Sequence, residues 1–194
     1  MSPQVSNRSR LIDGTLRCLE RLPPERVTAR TIAEESGANL ASIAYHFGSK
    51  DDLVTTAIIT GLDRWLIEIA GRLDALAADA PAVRFRRAAE VVAATRGDRT
   101  GLARNFVAAL ARAQHDDRVR ALLTTGFQRS RHDVATALGL GQDQADLDAA
   151  GLVLALFNGL LLQVLLDPAL AIEGERMQHA QARLRTLLAH GDTA

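Results

Sequence analysis

The sequence predicts an all-α protein, and three observations carry that prediction. Aromatic residues are only 4% of the 194-residue chain while alanine and leucine abound, a mix that favours helix over strand. Apolar residues recur at three- and four-residue steps along most of the chain, and no stretch shows the two-residue alternation of a half-buried strand. Helix-ending residues separate the periodic stretches, at Pro23-Pro24, Gly37, Gly48, Pro81, Gly97 and Gly139-Leu140-Gly141.

Taken in order, residues 1 to 8 read as a disordered arm, in which Arg8, with Arg10 just beyond it, suits a phosphate backbone, although terminal arginines are more often merely solvated. Leu11, Ile12, Leu16 and Leu19 give a first helix through Arg21, with Cys18 a small core residue of it and Pro23-Pro24 its end. Thr28 is placed to cap a short helix, Ala29 to Ser36, by accepting from the unpaired amides of its first turn. Gly37 suits the left-handed residue that ends such a helix. Asn39 caps again, so that Leu40 to Phe47 forms a second short helix after a three-residue turn. Two short helices so joined make a helix-turn-helix.

That second helix has two sides. Ile43 and Phe47, four residues apart, point toward Ile32 and Ala33, while Ser42, Tyr45 and His46 form a polar stripe on the other side. Gly48 breaks the helix, and Ser49 starts another through a capping box to Asp52. Lys50 then sits at a helix N-terminus, where a phosphate is also favoured. A polar stripe followed by a cation on an amide-rich helix end suits a reader of phosphates and bases. An ordinary helical corner with incidental surface residues fits the same spacing.

From Ser49 one uninterrupted helix is expected to about Leu76, followed by a loop over 77–82. Further helices are expected from Ala82 to Thr95, Thr100 to Gln114, Asp116 to Leu138, Asp143 to Leu166 and Glu173 to Ala189. The glycines of Gly139-Leu140-Gly141 read as a turn, since no strand precedes them and a phosphate loop is not indicated. Between Leu152 and Leu166 the penultimate helix is apolar around most of its circumference, so it must be covered on more than one side. Met177, Ala180, Leu184 and Leu187 form a heptad-like seam on the last helix. These two helices suit either an intramolecular core or a face that pairs with its own copy.

Composition bounds the function. With 47% hydrophobic residues the chain can bury a sizeable core, and a formal net charge of zero excludes an indiscriminate polycation. Residues 1–50 hold seven Arg/Lys against five Asp/Glu and the remainder sixteen against eighteen, a slight asymmetry compatible with a DNA-facing head. The single Cys18 cannot form an internal disulfide, which suits a reducing compartment. No signal-peptide pattern opens the chain. The run Leu152 to Leu166, interrupted by Asn158 and Gln163 and closed by Asp167-Pro168, reads as too short and polar to span a bilayer. A soluble, cytoplasmic protein is therefore expected.

The pattern Val27-Thr28, Ile32-Ala33, Gly37, Tyr45-His46-Phe47, Gly48-Ser49-Lys50 and Leu53 resembles the TetR family of bacterial transcriptional regulators. The resemblance is detailed over residues 9 to 60; beyond, it lies in helix lengths and order. It implies a three-helix DNA-binding domain (1–50), joined by a long helix to a helical effector-binding and dimerisation domain (51–194). It also implies a homodimer paired through the last two helices, two reading heads entering successive major grooves of a palindromic operator about 34 to 36 Å apart, and release by a small-molecule effector. Repression is the family's habit.

By the same resemblance Tyr45, His46 and Lys50 contact the DNA backbone and the Thr28 helix end anchors a phosphate. Candidates for base edges are Asn39, Ser42 and Arg30, with Leu40 or Ala41 against a thymine methyl. A basic residue is frequent in the family where Leu40 stands, and an aromatic where Ala44 stands, so direct readout here is thin. The effector pocket is implied between Leu62 and Leu161, lined by Trp65, Phe85, Phe106, Phe127 and Phe157, with Asn105, Gln128, Arg131 and Asn158 as orienting polar groups. Each aromatic fits plain core as well, and each polar group an exposed surface. Few aromatics and many leucines hint at an apolar effector. No cofactor is implied.

Two other classes stay in view. His115-Asp116-Asp117 and His132-Asp133 are the only places where metal ligands cluster, as a metal-dependent hydrolase would need. Against it, His115 falls at a helix start and His132 lies between Arg129, Arg131 and solvent. The other is a helical binding protein that does not engage DNA.

Overall fold

The first helix, α1 (Asn7–Arg21), starts where the Ser6 hydroxyl accepts from the Ser9 amide at 3.2 Å. This computed structural model describes residues 6–22 and 26–189, with side chains to 186. The expected disordered arm is therefore corrected at its end: residues 6 to 8 belong to a capped helix, and residues 1–5, like Pro23-Pro24, lie outside the described residues. Leu11, Ile12, Cys18 and Leu19 face inward from α1 and meet Val27, Ile32, Ile43, Phe47 and Leu53.

Next come α2 (Ala29–Ser36), α3 (Ala41–Phe47) and α4 (Lys50–Leu73). At 24 residues α4 is about 36 Å long, and a 3-10 turn extends it to Leu76. Pro81 opens α5 (Pro81–Thr95) one residue before the expected start, because proline needs no amide partner in a first helical turn. The remaining elements are α6 (Thr100–Arg112), α7 (Asp117–Leu138), α8 (Gln144–Leu166) and α9 (Gly174–Ala189). Asp116 and Asp143 cap α7 and α8 with their carboxylates, and Gly139 ends α7 in the left-handed conformation at φ 71°. Among the described residues there is no strand.

Three apolar clusters hold these helices. The largest joins α1, α2, α3 and the start of α4 to Leu102 and Phe106 of α6 and Val119 and Leu123 of α7. The core of the first three helices thus continues into the later ones. A second gathers Trp65, Ile69 and Leu73 with Ala88, Val91 and Ala137, and a third packs Val134, Ala135 and Leu138 on Ala150.

Most of α8 is left open. Only Ala150 of it is buried, whereas Leu152 is 75% and Leu166 84% exposed. The segment expected to be too short and polar for a bilayer belongs to a longer helix of 23 residues, and an 18-residue window of it has a mean hydropathy of 2.2. By length and composition alone that is enough to cross one, as it also is in core helices of soluble proteins. Its inner side is nevertheless seated on α7 through Ala150, Val153 and Leu154. No described side chain of α9 is buried, and Leu184 is half-exposed on its seam; the Leu187 side chain lies outside the described residues.

Candidate functional site

The exposed corner built by α2 and α3 follows from its caps. The Thr28 hydroxyl accepts from the Thr31 amide at 3.1 Å and the Thr31 hydroxyl from the Thr28 amide at 2.9 Å, a reciprocal box. Gly37, at φ 59°, turns the chain. Arg10 is spent here: its guanidinium donates to the Ser36 and Gly37 carbonyls and closes the C-terminal end of α2. Arg8 lies over the Phe47 ring, 5.3 Å from its centroid. Both arginines, read as phosphate contacts or solvated side chains, thus lie against the corner itself.

Asn39 caps as expected, its Oδ1 accepting from the Ala41 amide at 2.9 Å, although α3 begins at Ala41 rather than Leu40. Ile43 and Phe47 are buried together with Ile32, which fixes the helix's rotation. The opposite side therefore faces outward. Tyr45 is 85% exposed, with its ring edge-on to His46 at 4.8 Å; Ser42 and His46 are half-buried beside it. Thr28, Arg30, Asn39, Leu40 and Ala41 are exposed around this edge. Among the described residues Tyr45 makes no side-chain hydrogen bond, and its ring contact with His46 leaves most of its surface bare.

Lys50 ends the corner. Its Nζ lies 2.8 Å from Asp51 Oδ1 and donates to the Val27 carbonyl at 3.4 Å. Burial pushes the Asp51 carboxyl up, but its ion pairs with Lys50 and Arg112 outweigh it and hold the group below the ordinary carboxylate range. The Ser49 capping box is only half made. Ser49 Oγ accepts from the Asp52 amide at 3.0 Å, but the Asp52 carboxylate takes the Ser49 hydroxyl at 2.7 Å and Arg118 Nε at 3.1 Å rather than a backbone amide. Arg118 also donates to the Phe47 carbonyl at 3.2 Å. Arginines of α6 and α7 thus brace the corner from behind, and no sequence spacing announces a partner some 60 residues away.

A second feature is a cavity of about 120 Å³ between α4, α5, α6, α7 and α8. Trp65, Phe106, Phe127, Phe157 and Asn158 line it as expected. Four expected residues do not. Phe85 packs behind the wall, its ring 5.8 Å from that of Phe157. Asn105 is buried elsewhere and clamps α6 to α1, donating to the Gly101 carbonyl at 2.8 Å and the Leu19 carbonyl at 3.2 Å. Gln128 is exposed on α7, and Arg131 reaches across to α8, against Gly151 and toward Asp148. Two polar lining residues went unanticipated: Ser130, and Asp63, whose carboxylate is paired with Arg129. The Trp65 indole donates to Thr95 Oγ1 at 2.8 Å, which holds the ring in the wall.

The candidate metal ligands do not assemble. Asp116 Oδ1 is occupied by the Arg118 and Val119 amides at 3.0 and 3.1 Å, and His132 pairs with Gln142 at 2.8 Å. Among the described residues no group of three or more potential ligands gathers.

Two family models match the chain. Residues 11–57 match that of "Bacterial regulatory proteins, tetR family", and residues 81–190, more than half the chain, match "BetI-type transcriptional repressor, C-terminal". No curated protein matches the sequence. Among solved structures, a protein of Pseudomonas aeruginosa PAO1 described as a transcriptional regulator is similar at 24% identity and a TM-score of 0.69, over 94% of this chain and 90% of that one. The multidrug binding protein EbrR, complexed with imidazole, is similar at 26% identity and a TM-score of 0.62, over 85% and 82%. A regulator from Saccharomonospora viridis in complex with choline is similar at 22% identity and a TM-score of 0.61, over 96% and 97%.

Proposed function

The chain belongs to the tetR family of bacterial regulatory proteins, transcription regulators with a DNA-binding helix-turn-helix and not enzymes, and we propose that it is a ligand-released repressor acting as a homodimer on a palindromic operator. The observation that carries this reading is the outward edge of α3, where Tyr45 is 85% exposed beside Ser42 and His46 while Ile43 and Phe47 anchor the other side. In that reading Tyr45, His46, Lys50 and the Thr28 helix end hold phosphates, and Arg30, Asn39, Leu40, Ala41 and Ser42 meet base edges or thymine methyls. Phosphate contacts supply affinity and register; the small, mostly uncharged set at the base edges makes direct readout sparse.

The effector occupies the cavity behind α4. Its wall is apolar apart from Asp63, Ser130 and Asn158, and the Asp63 charge is already matched by Arg129. A cation placed there would leave a net charge in an apolar site, which costs more than aromatic faces return. The occupant is therefore a neutral, mainly apolar molecule carrying a hydrogen-bonding group for Asn158 or Ser130. That EbrR and the S. viridis regulator hold imidazole and choline supports a small-molecule occupant in general. Release requires that the effector bind the non-operator conformation more tightly, since equal affinity for both shifts nothing. The open faces of α8 and α9 pair two copies, and such a dimer is a soluble cytoplasmic protein. The C-terminal match to a repressor type supports repression over activation.

Selection of bound sites from genomic DNA tests the reading directly, and recovery of no preferred duplex would end it. On a selected site, Lys50→Ala is expected to weaken binding to all sequences and to lower the slope of log affinity against log salt by about one. An unchanged slope would remove Lys50 from the phosphate contacts. For the effector, Trp65 is the chain's only tryptophan and lies in the cavity wall. Its emission is expected to shift with a neutral ten-carbon alcohol and not with the carboxylate or trimethylammonium of equal length; a stronger response to either ion would refute the neutral class.

A further inference from the structure

We propose that Arg112 is a positioning residue for the Lys50 phosphate contact, holding the Asp51 carboxylate so that Lys50 is released to DNA. The proposal rests on the DNA-binding reading above. One carboxylate oxygen, Asp51 Oδ1, lies between two cations: Lys50 Nζ at 2.8 Å and Arg112 Nη1 at 2.9 Å. Without DNA, Asp51 stands where a phosphate oxygen would stand, as the anionic partner of Lys50. The other bond of Lys50, to the Val27 carbonyl, is long at 3.4 Å and is readily given up.

An incoming phosphate must take Lys50 from Asp51 and then tolerate the carboxylate beside it. Arg112 resolves both. It gives Asp51 a second partner, so the Lys50 bond can break without leaving a lone carboxylate, and it neutralises the charge that would repel the phosphate. Asp51 also lies in the first turn of α4, where the helix favours an anion whether or not Lys50 stays. Arg112 belongs to the last turn of α6, six residues beyond Phe106 in the cavity wall. The helix that meets the effector thereby carries the counter-ion that frees the DNA-binding lysine.

The test is a double-mutant cycle in the full-length protein, read as affinity for a selected duplex. R112A is expected to weaken binding about threefold and D51N to strengthen it by a similar factor, sizes usual for a partly exposed ion pair. In the D51N background R112A should cost nothing further, because the carboxylate that it manages is gone. R112K, which keeps the charge, should restore most of the affinity. A loss from R112A that persists unchanged beside D51N would overturn the proposal, since Arg112 would then be touching DNA itself or merely supporting the fold.

An independent readout uses Lys50 as the chain's only lysine. Reductive methylation with 13C-formaldehyde gives it a single side-chain resonance, distinct from that of the chain's amino terminus. That resonance should move in R112A without DNA, and its failure to move would also overturn the proposal. A wild-type protein that binds no duplex would instead refute the DNA-binding reading, and this proposal with it.

Discussion

Replacing Leu152 and Leu156 together by aspartate is expected to yield a folded monomer with operator affinity at least a hundredfold lower. Both side chains lie on the outer side of α8, 75% and 37% exposed, four residues apart. The same side continues through Gly159, where an added Cβ would meet nothing within 4 Å, to Leu166 at 84% exposure. In a lone chain a carboxylate at these positions is solvated and costs little. In a two-chain assembly the same carboxylates would be buried against apolar partners without counter-charges, a penalty of several kcal/mol on each side of the twofold axis.

The loss of DNA binding follows from geometry alone. Joining two heads makes the second half-site contact intramolecular, which raises avidity by about two to four orders of magnitude without any new contact. A monomer forfeits that gain and should bind half-sites and full operators alike. Sedimentation measures the mass, circular dichroism the helix content, and titration with operator and half-site duplexes the affinity. A double variant that still sediments as a dimer would place the partner elsewhere than on α8. A monomer with undiminished affinity would leave the paired-head mechanism without support.

The helices and the reading corner were legible because their signals are local. Thr28, Gly37, Ser49, Asp116, Gly139 and Asp143 mark ends within a residue or two, since caps act on amides and carbonyls in the adjacent turn. The Ile43/Phe47 side of α3 followed from four-residue spacing in the same way. What sequence reading missed is long-range. Asn105 looks like a ligand-orienting amide on a helix near aromatics, yet its amide reaches Leu19, 86 residues away. Asp51 and Asp52 look like first-turn acids, but they meet Arg112 and Arg118 from two later helices. Phe85 and Phe157 are both apolar aromatics in the right region, and only the packing of α5 on α8 decides which one faces the cavity. Periodicity gives the inward side of a helix; it does not say which neighbour lies there.

The α1–α6 contact that claims Asn105 yields the largest expected effect on stability. Gly101 sits where α6 crosses the end of α1, and a Cβ there would lie 2.6 Å from Glu20 Cα and 2.7 Å from the Leu19 carbonyl oxygen. These are backbone atoms with no rotamer to yield, so Gly101→Ala must push the helices apart. That movement would also stretch the Asn105 bond to the same Leu19 carbonyl, now 3.2 Å, and loosen Leu102 and Phe106 in the core cluster shared with the reading head. Overpacking of this kind costs about 1–3 kcal/mol, partly offset by the roughly 1 kcal/mol by which alanine outranks glycine in a helix. The stretched amide contact adds to the loss, and about 2 kcal/mol should remain, a fall in Tm of roughly 4–8 °C for a chain of this size. Gly71, in the last turn of α4 with nothing within 4 Å of its would-be Cβ, supplies the opposite control. Gly71→Ala should keep the propensity gain and raise Tm by a few degrees. Calorimetry of the two variants separates close approach from simple glycine flexibility: if both raise Tm alike, α6 does not rest on α1 at Gly101.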